Sequence, residues 1–235
     1  MAINLFPKIV LFGDSITQES FSEGGWGARI ADYFQRKCDV LNRGFSGYTA
    51  AFNKLILPRI LQCDHSPKGS VAAVVLLLGS NDSVVADLDQ RSLTVEQYIT
   101  NMTDIILQFT NDGISASKIV LLTPPAISID MYSEFCKEQG REMSLTNERV
   151  KLFAEKCAEL GKKLGVDVVD LYTLFHAQPN WTSFLSDGLH LSKEGNHFVA
   201  KQVIPILEAK LAKLPQVFPD WKEIDHKTPE NTFCN

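Results

Sequence analysis

Ser15, Asp187 and His190 carry the three side-chain types that acyl transfer requires: a nucleophile, a carboxylate to orient a base, and a base that titrates near neutrality. Ser15 lies in the stretch VLFGDSIT (residues 10–17), in which an apolar run leads into Gly13-Asp14-Ser15. Asp187 and His190 sit in Asp187-Gly188-Leu189-His190, where a spacing of three lets the pair meet on one turn. Two more stretches can supply donors to an oxyanion: Gly44 in NRGFSG (residues 42–47) by its backbone amide, and Asn81 in GSND (residues 79–82) by its side-chain amide. A helix starting at Ser15 would add free amides that favour negative charge.

Each stretch also fits a purely structural job. Ser15 with Gln18 three residues later matches a capping box, in which the hydroxyl satisfies an orphan helix amide. Gly44 and Gly47 suit turns that other residues resist, Asn81-Asp82 suits a turn or cap, and Asp187-Gly188 is a common turn dipeptide. What favours chemistry is that every part of an acyl-transfer site occurs once, and that all the parts fall at one edge of the architecture described next.

Apolar, β-rich runs at residues 8–12, 39–42, 71–78, 118–122 and 166–171 read as strands, several of them apolar rather than alternating, as when both faces of a parallel sheet are covered. Between and after them, residues 26–37, 53–62, 95–111, 144–164 and 193–211 read as helices, with Gly165 as a helix stop. The alternation predicts an α/β protein, a doubly wound three-layer α/β/α sandwich on a parallel sheet. Ligands in such sheets bind beyond the carboxyl ends of the strands. All four stretches pass that test, following the first, second, third and fifth strands. Ser115-Ala116-Ser117-Lys118 spells SxxK but precedes a strand, at the wrong edge. The connection 124–142 is expected to carry helix of its own and to flank the site. Residues 1–214 read as one domain and 215–235 as a tail docked through Val217, Phe218 and Trp221, its last residues fraying.

Composition narrows the classes. With 45% hydrophobic and 22% charged residues the chain can bury a substantial core. A formal charge of -5 without a Lys/Arg-rich block argues against a nucleic-acid partner. The longest fully apolar run, residues 71–78, is far short of the ~20 residues of a membrane span, so no stable membrane insertion is expected. The start of the chain does not read as a signal peptide. Five cysteines (Cys38, Cys63, Cys136, Cys157, Cys234) without a CxxC pair suit reduced, inert thiols, and a cytoplasmic location is expected. His65, His176, His197 and His226 have no metal-ligand spacing, and no GxSxG, GxGxxG or Walker A motif occurs.

The order GDS, Gly44, GxND, DxxH resembles the SGNH (GDSL-type) hydrolases. LFGDSIT, GGWGA (residues 24–28), CDVLNRGFSGY (residues 38–48) and LSDGLHLS (residues 185–192) look like the isoamyl acetate-hydrolysing esterase group within them. The resemblance implies a flavodoxin-like fold with strand order 2-1-3-4-5 and no metal or organic cofactor. It implies Ser15 as nucleophile, His190 as general base and then acid, and Asp187 as its partner. The oxyanion hole would join the backbone amides of Ser15 and Gly44 to the side chain of Asn81, while Asp14 and Asp82 hold their loops. The implied activity is a serine esterase acting on small-molecule esters of short to medium chain, acetates first. A thioesterase or lysophospholipase on longer acyl chains, and a non-catalytic interaction protein keeping the fold, are the rival readings. A homodimer is one expected state, though no residue marks an interface. Phe45, Tyr48 and Pro124 are the candidate substrate-binding residues, and Phe21, Trp26, Pro125 and Ala126 could extend the same apolar wall.

Overall fold

The computed structural model describes residues 6–233. Strands β1 (Lys8–Gly13), β2 (Asp39–Gly44), β3 (Val71–Leu77), β4 (Ile119–Leu122) and β5 (Asp167–Val169) form one sheet in the order β2-β1-β3-β4-β5. Every neighbouring pair is parallel. This is the expected three-layer arrangement and strand order. Its cause is visible along β1, where Ile9 and Leu11 point to one layer, Val10 and Phe12 to the other, and all four are buried.

The helices are α1 (Ser15–Gln18), α2 (Trp26–Tyr33), α3 (Ala50–Asp64), α4 (Val95–Asn111), α5 (Ile129–Glu138), α6 (Asn147–Leu164), α7 (Leu171–His176), α8 (Lys193–Lys210) and α9 (Glu230–Phe233). α2 and α8 cover one face with Trp26, Ile30, Val199, Val203 and Leu207. α3, α4 and α6 cover the other with Leu57, Leu61, Met102, Ile105, Phe109 and Phe153. Each such side chain, fully buried, is worth roughly 1.5–3 kcal/mol, so the strand ends that carry the polar stretches rest on a firm base.

Several element ends differ from the sequence reading, for local reasons. The strand read at 166–171 is only Asp167–Val169, because Val166 N–H closes the end of α6 on Gly161 O and Asp170 accepts from Thr173 N–H to cap α7. α3 begins earlier than expected because Thr49 accepts from Phe52 N–H, and α6 later because Thr146 accepts from Arg149 N–H. α2 stops at Tyr33 rather than Lys37, with Arg36 in the left-handed region. Gly165 is the expected left-handed stop of α6. Residues 115–118 do precede β4, at the edge opposite the four stretches.

Cys38, Cys136 and Cys157 are buried free thiols, but Cys63 is exposed, because it lies on the solvent side of α3. The tail meets the body through Arg36: its carbonyl accepts from Val217 N–H, and its guanidinium donates to Phe218 O and Pro219 O. Phe218 and Trp221, expected to dock, face solvent instead. No helix among the described residues is long and apolar enough to cross a membrane. Cys234, the last residue of the tail and the chain start on which the leader reading bears lie outside the described residues.

Candidate active site

The turn from β1 into α1 sets Ser15. Asp14, not Ser15, caps the helix, accepting from Ile16 N–H with Oδ1 at 3.0 Å. Gln18 makes no capping box either, since its Oε1 accepts from Ser46 N–H. Ser15 is thus the first helical residue, its hydroxyl freed from capping and its N–H among the orphan donors of the helix start. The capping-box reading is overturned.

Asp187 and His190 come from the loop before α8. Oδ1 of Asp187 accepts from Leu189 N–H (2.9 Å) and His190 N–H (2.7 Å), which folds the loop into one tight turn. Gly188 holds a positive φ of 94° there, and a Cβ would strike the Tyr132 and Ser128 backbones, so α5 packs directly on this loop. Oδ2 of Asp187 lies 2.7 Å from His190 Nδ1, and His190 Nε2 lies 3.0 Å from Ser15 Oγ. These contacts join three groups separated by 175 residues at the widest.

The electrostatics suit a proton relay. Burial raises the Asp187 carboxyl, but the His190 ring and the two backbone donors outweigh it and hold it down to about 2. Burial opposes charge on His190, yet the bond and charge of Asp187 prevail and lift its pKa above the ordinary histidine value. Asp14 and Asp82 lie under the same loops, and burial pushes each up to about 7. Asp82 Oδ1 accepts from Ala50 N–H, tying the 79–82 loop to the start of α3.

Asn81 borders the same cleft as Ser15 and His190, a space of about 190 Å³. Its Oδ1 accepts from Arg91 Nη1 at 2.8 Å and its Nδ2 donates to Tyr48 O at 3.1 Å. Gly44 is not brought into the cleft. Its N–H donates to Asn42 Oδ1 at 2.9 Å, and its Cα is pressed on α1 so that a Cβ would lie 1.9 Å from Gln18 N. Gly44 serves close packing, which corrects the expectation of a third donor there. Gly47 borders the cleft instead, at φ 77°, and its N–H donates to no protein acceptor among the described residues.

The expected substrate wall is also corrected. Phe45, Tyr48 and Pro124 do not line the cleft. Phe45 stacks on Tyr48 and packs toward the α3–α4 layer, and Pro124 packs against Gly79. Trp26 is fully buried, donating to Ile16 O, Ala126 is core, and Phe21 is exposed. The apolar wall comes from Val84, Tyr132, Leu145 and Leu189, with the Arg91 and Arg141 guanidinium groups beside it. The connection 124–142 thus carries its own helix, α5, and flanks the site, as expected. No group of three or more His, Cys, Asp or Glu among the described residues could hold a metal ion.

Comparison with known proteins bears on the family and the fold. Residues 11–198 match the model of the GDSL-like Lipase/Acylhydrolase family. The chain is 39% identical over 227 residues to the human isoamyl acetate-hydrolyzing esterase 1 homolog, covering 96% of this chain and 91% of the relative. It is 36% identical over 241 residues to a GDSL esterase/lipase of Arabidopsis thaliana, covering 97% of each. Among solved structures, a lipase/acylhydrolase from Enterococcus faecalis superposes with a TM-score of 0.65 at 26% identity, covering 90% of this chain and 98% of that one.

Proposed function

This chain belongs to the GDSL-like lipase/acylhydrolase family and is a carboxylic ester hydrolase, and from that premise we propose a serine esterase that works through an acyl-enzyme on Ser15. The observation that carries the reading is the unbroken relay Asp187 Oδ2–His190 Nδ1 (2.7 Å) and His190 Nε2–Ser15 Oγ (3.0 Å). In acylation Ser15 Oγ bonds to the ester carbonyl carbon as its proton passes to His190 Nε2. Negative charge gathers on the carbonyl oxygen, facing the Ser15 N–H and Asn81 Nδ2, with Gly47 N–H in place of Gly44 as the third donor. The bond to the alcohol oxygen then breaks, and the alcohol leaves with the proton held by His190. A water attacks the acyl-enzyme, gives one proton to His190, and the acid departs as Ser15 recovers that proton.

A cleft of about 190 Å³ is smaller than the roughly 300–1,000 Å³ of sites for drug-sized ligands, which favours a short acyl group over a long lipid chain. The human relative's name points the same way, toward acetate esters of short alcohols. The substrate we assign is a small neutral ester with a short acyl chain.

The test is a p-nitrophenyl ester series from acetate to dodecanoate, with isoamyl acetate followed by acid release, and a fluorophosphonate label on the protein. The reading expects kcat/KM to be highest for the shortest acyl groups and one label per chain, on Ser15. A maximum at eight carbons or longer would overturn the chain-length assignment, and labelling that survives Ser15→Ala would overturn the nucleophile.

A further inference from the structure

We propose that Arg91 is the positioning residue of the oxyanion site: anchored by Asp89, it fixes the side-chain amide of Asn81 so that an N–H, not the carbonyl, meets the developing charge. The proposal rests on the esterase reading above. It starts from a weakness of that reading, because a primary amide is nearly symmetric in shape. A rotation of 180° about the last side-chain bond exchanges a donor for an acceptor at the same place. An unheld Asn81 would present Oδ1 to the forming oxyanion part of the time, and there it would repel.

The structure supplies the hold. Arg91 Nη1 donates to Asn81 Oδ1 at 2.8 Å, and Asn81 Nδ2 donates one of its two hydrogens to Tyr48 O at 3.1 Å. A flipped amide would set the NH₂ against the guanidinium donor and Oδ1 against the Tyr48 carbonyl, two like-with-like contacts in place of two bonds. Among the described residues, the second Nδ2 hydrogen has no protein acceptor beside the cleft that also holds Ser15 and His190.

Arg91 is itself held. Its Nε donates to Asp89 Oδ1 (3.0 Å) and its Nη2 to Asp89 Oδ2 (2.6 Å), the two-point fork that fixes a guanidinium plane. Asp89 Oδ1 also accepts from Arg91 N–H at 2.9 Å, so the carboxylate is bound to the backbone that carries its partner. Because Asp89 neutralises the charge, the effect on Asn81 is one of orientation. Loss of Arg91 should then act on the transition state and leave ground-state binding nearly untouched.

The experiment is a mutant cycle on p-nitrophenyl acetate with the full chain: Asn81→Ala, Arg91→Met, and both together, with melting curves for each. Expected is a fall in kcat of roughly 10–100-fold for Arg91→Met with KM within about threefold of wild type, smaller than the loss for Asn81→Ala. The double variant should be no worse than Asn81→Ala by more than about threefold, since Arg91 has nothing to position once Asn81 is gone. Losses that multiply, or an Arg91→Met enzyme within threefold of wild-type kcat, would overturn the proposal. If Arg91→Met does not fold, Asp89→Asn takes its place in the cycle, with the same expected direction and non-additivity and the same overturning results. The two levels fail differently: wild-type turnover by Asn81→Ala sinks the oxyanion reading itself, whereas an impaired Asn81→Ala beside an unimpaired Arg91 variant sinks only the positioning role.

Discussion

Asp187→Asn separates orientation of the base from mere contact with it. Oδ1 of Asp187 accepts from two backbone N–H groups, of Leu189 and His190, so an asparagine must keep its carbonyl oxygen there to spare the loop. Its NH₂ then replaces Oδ2 at 2.7 Å from His190 Nδ1 and donates to it. That contact selects the tautomer with hydrogen on Nε2, which cannot accept the Ser15 proton. In the proposed mechanism kcat should fall by about 10⁴-fold, which corresponds to about 5 kcal/mol, the size of the loss when other triads are forced into the wrong tautomer. The stability effect follows from linkage. Asp187 is held at about 2, below the ordinary value near 3.9, so its charge stabilises the fold above about pH 4, and that contribution is lost as pH falls through 2. His190 is raised, so its share is present below about pH 6.5 and is lost as pH rises through its folded pKa. The substitution should therefore cost about 2 kcal/mol between about pH 4 and 6.5, less on either side, and some 4–8 °C in Tm. The assay is kcat on p-nitrophenyl acetate from pH 5 to 9, with thermal melting at pH 5 and 8. A folded Asp187→Asn protein that retains a tenth of wild-type turnover would refute the tautomer argument.

Ser15→Ala should lower kcat by up to roughly 10⁶-fold yet shift Tm by less than about 2 °C, because Asp14 and not Ser15 caps α1; steady-state kinetics and melting check both. Gly44→Ala should destabilise by about 1–3 kcal/mol or prevent folding, since its Cβ would lie 1.9 Å from Gln18 N and 2.5 Å from Thr17 C, backbone atoms that cannot yield. Gly47→Ala meets only Arg91 Nη1 at 3.6 Å and should fold at a cost of about 1–2 kcal/mol for its positive φ; equal urea midpoints for the two glycine variants would contradict the contrast. Asp14→Asn should flatten the pH dependence of stability: a carboxyl raised to about 7 makes the wild type lose stability as pH climbs from 4 to 7, so the variant should gain on it by up to a few kcal/mol at pH 8, measured by urea unfolding.

The sequence made the sheet and the relay legible and left the walls of the site obscure, and the reason is physical. β1 from Ile9 to Phe12 and β3 along its whole length are apolar because both their faces are covered, which leaves a strong local trace. Ser15 and Asn81 lie just past the ends of β1 and β3, and His190, held by Asp187, lies in the loop before α8, so the predicted edge was enough to bring Ser15, Asn81 and His190 to one cleft. The two glycines of residues 42–47 have the same local trace, and only the backbone path reveals that Gly44 is pressed on α1 while Gly47 faces the cleft. Tyr132, Arg141 and Leu145 reach the cleft because α5 packs on Gly188, a contact between segments whose sequences give no sign of each other. Arg91 left no trace either, since an arginine ten residues after Asn81 is ordinary until its fork and its third bond are seen.

The buried carboxyls explain how these loops can be stiff without being apolar. Asp14 and Asp82 each spend one oxygen on a helix N-terminus beside the cleft, and each leaves Oδ2 buried without a protein partner among the described residues. Such groups destabilise the fold. An asparagine could make the same Oδ1 bonds, so stiffness alone does not account for a carboxyl at position 14. What the acid adds is charge: ionised Asp14 raises His190, and protonated His190 in turn lowers Asp14. In the proposed cycle His190 becomes a cation at each tetrahedral stage, and Asp14, raised to about 7, is one of the carboxyls, with Asp187 and Glu19, whose charge favours that cation. Asp14→Asn should accordingly move the midpoint of the kcat/KM–pH profile downward, toward the ordinary imidazole value, while the cap on Ile16 persists. A midpoint unchanged in Asp14→Asn would reduce Asp14 to a helix cap.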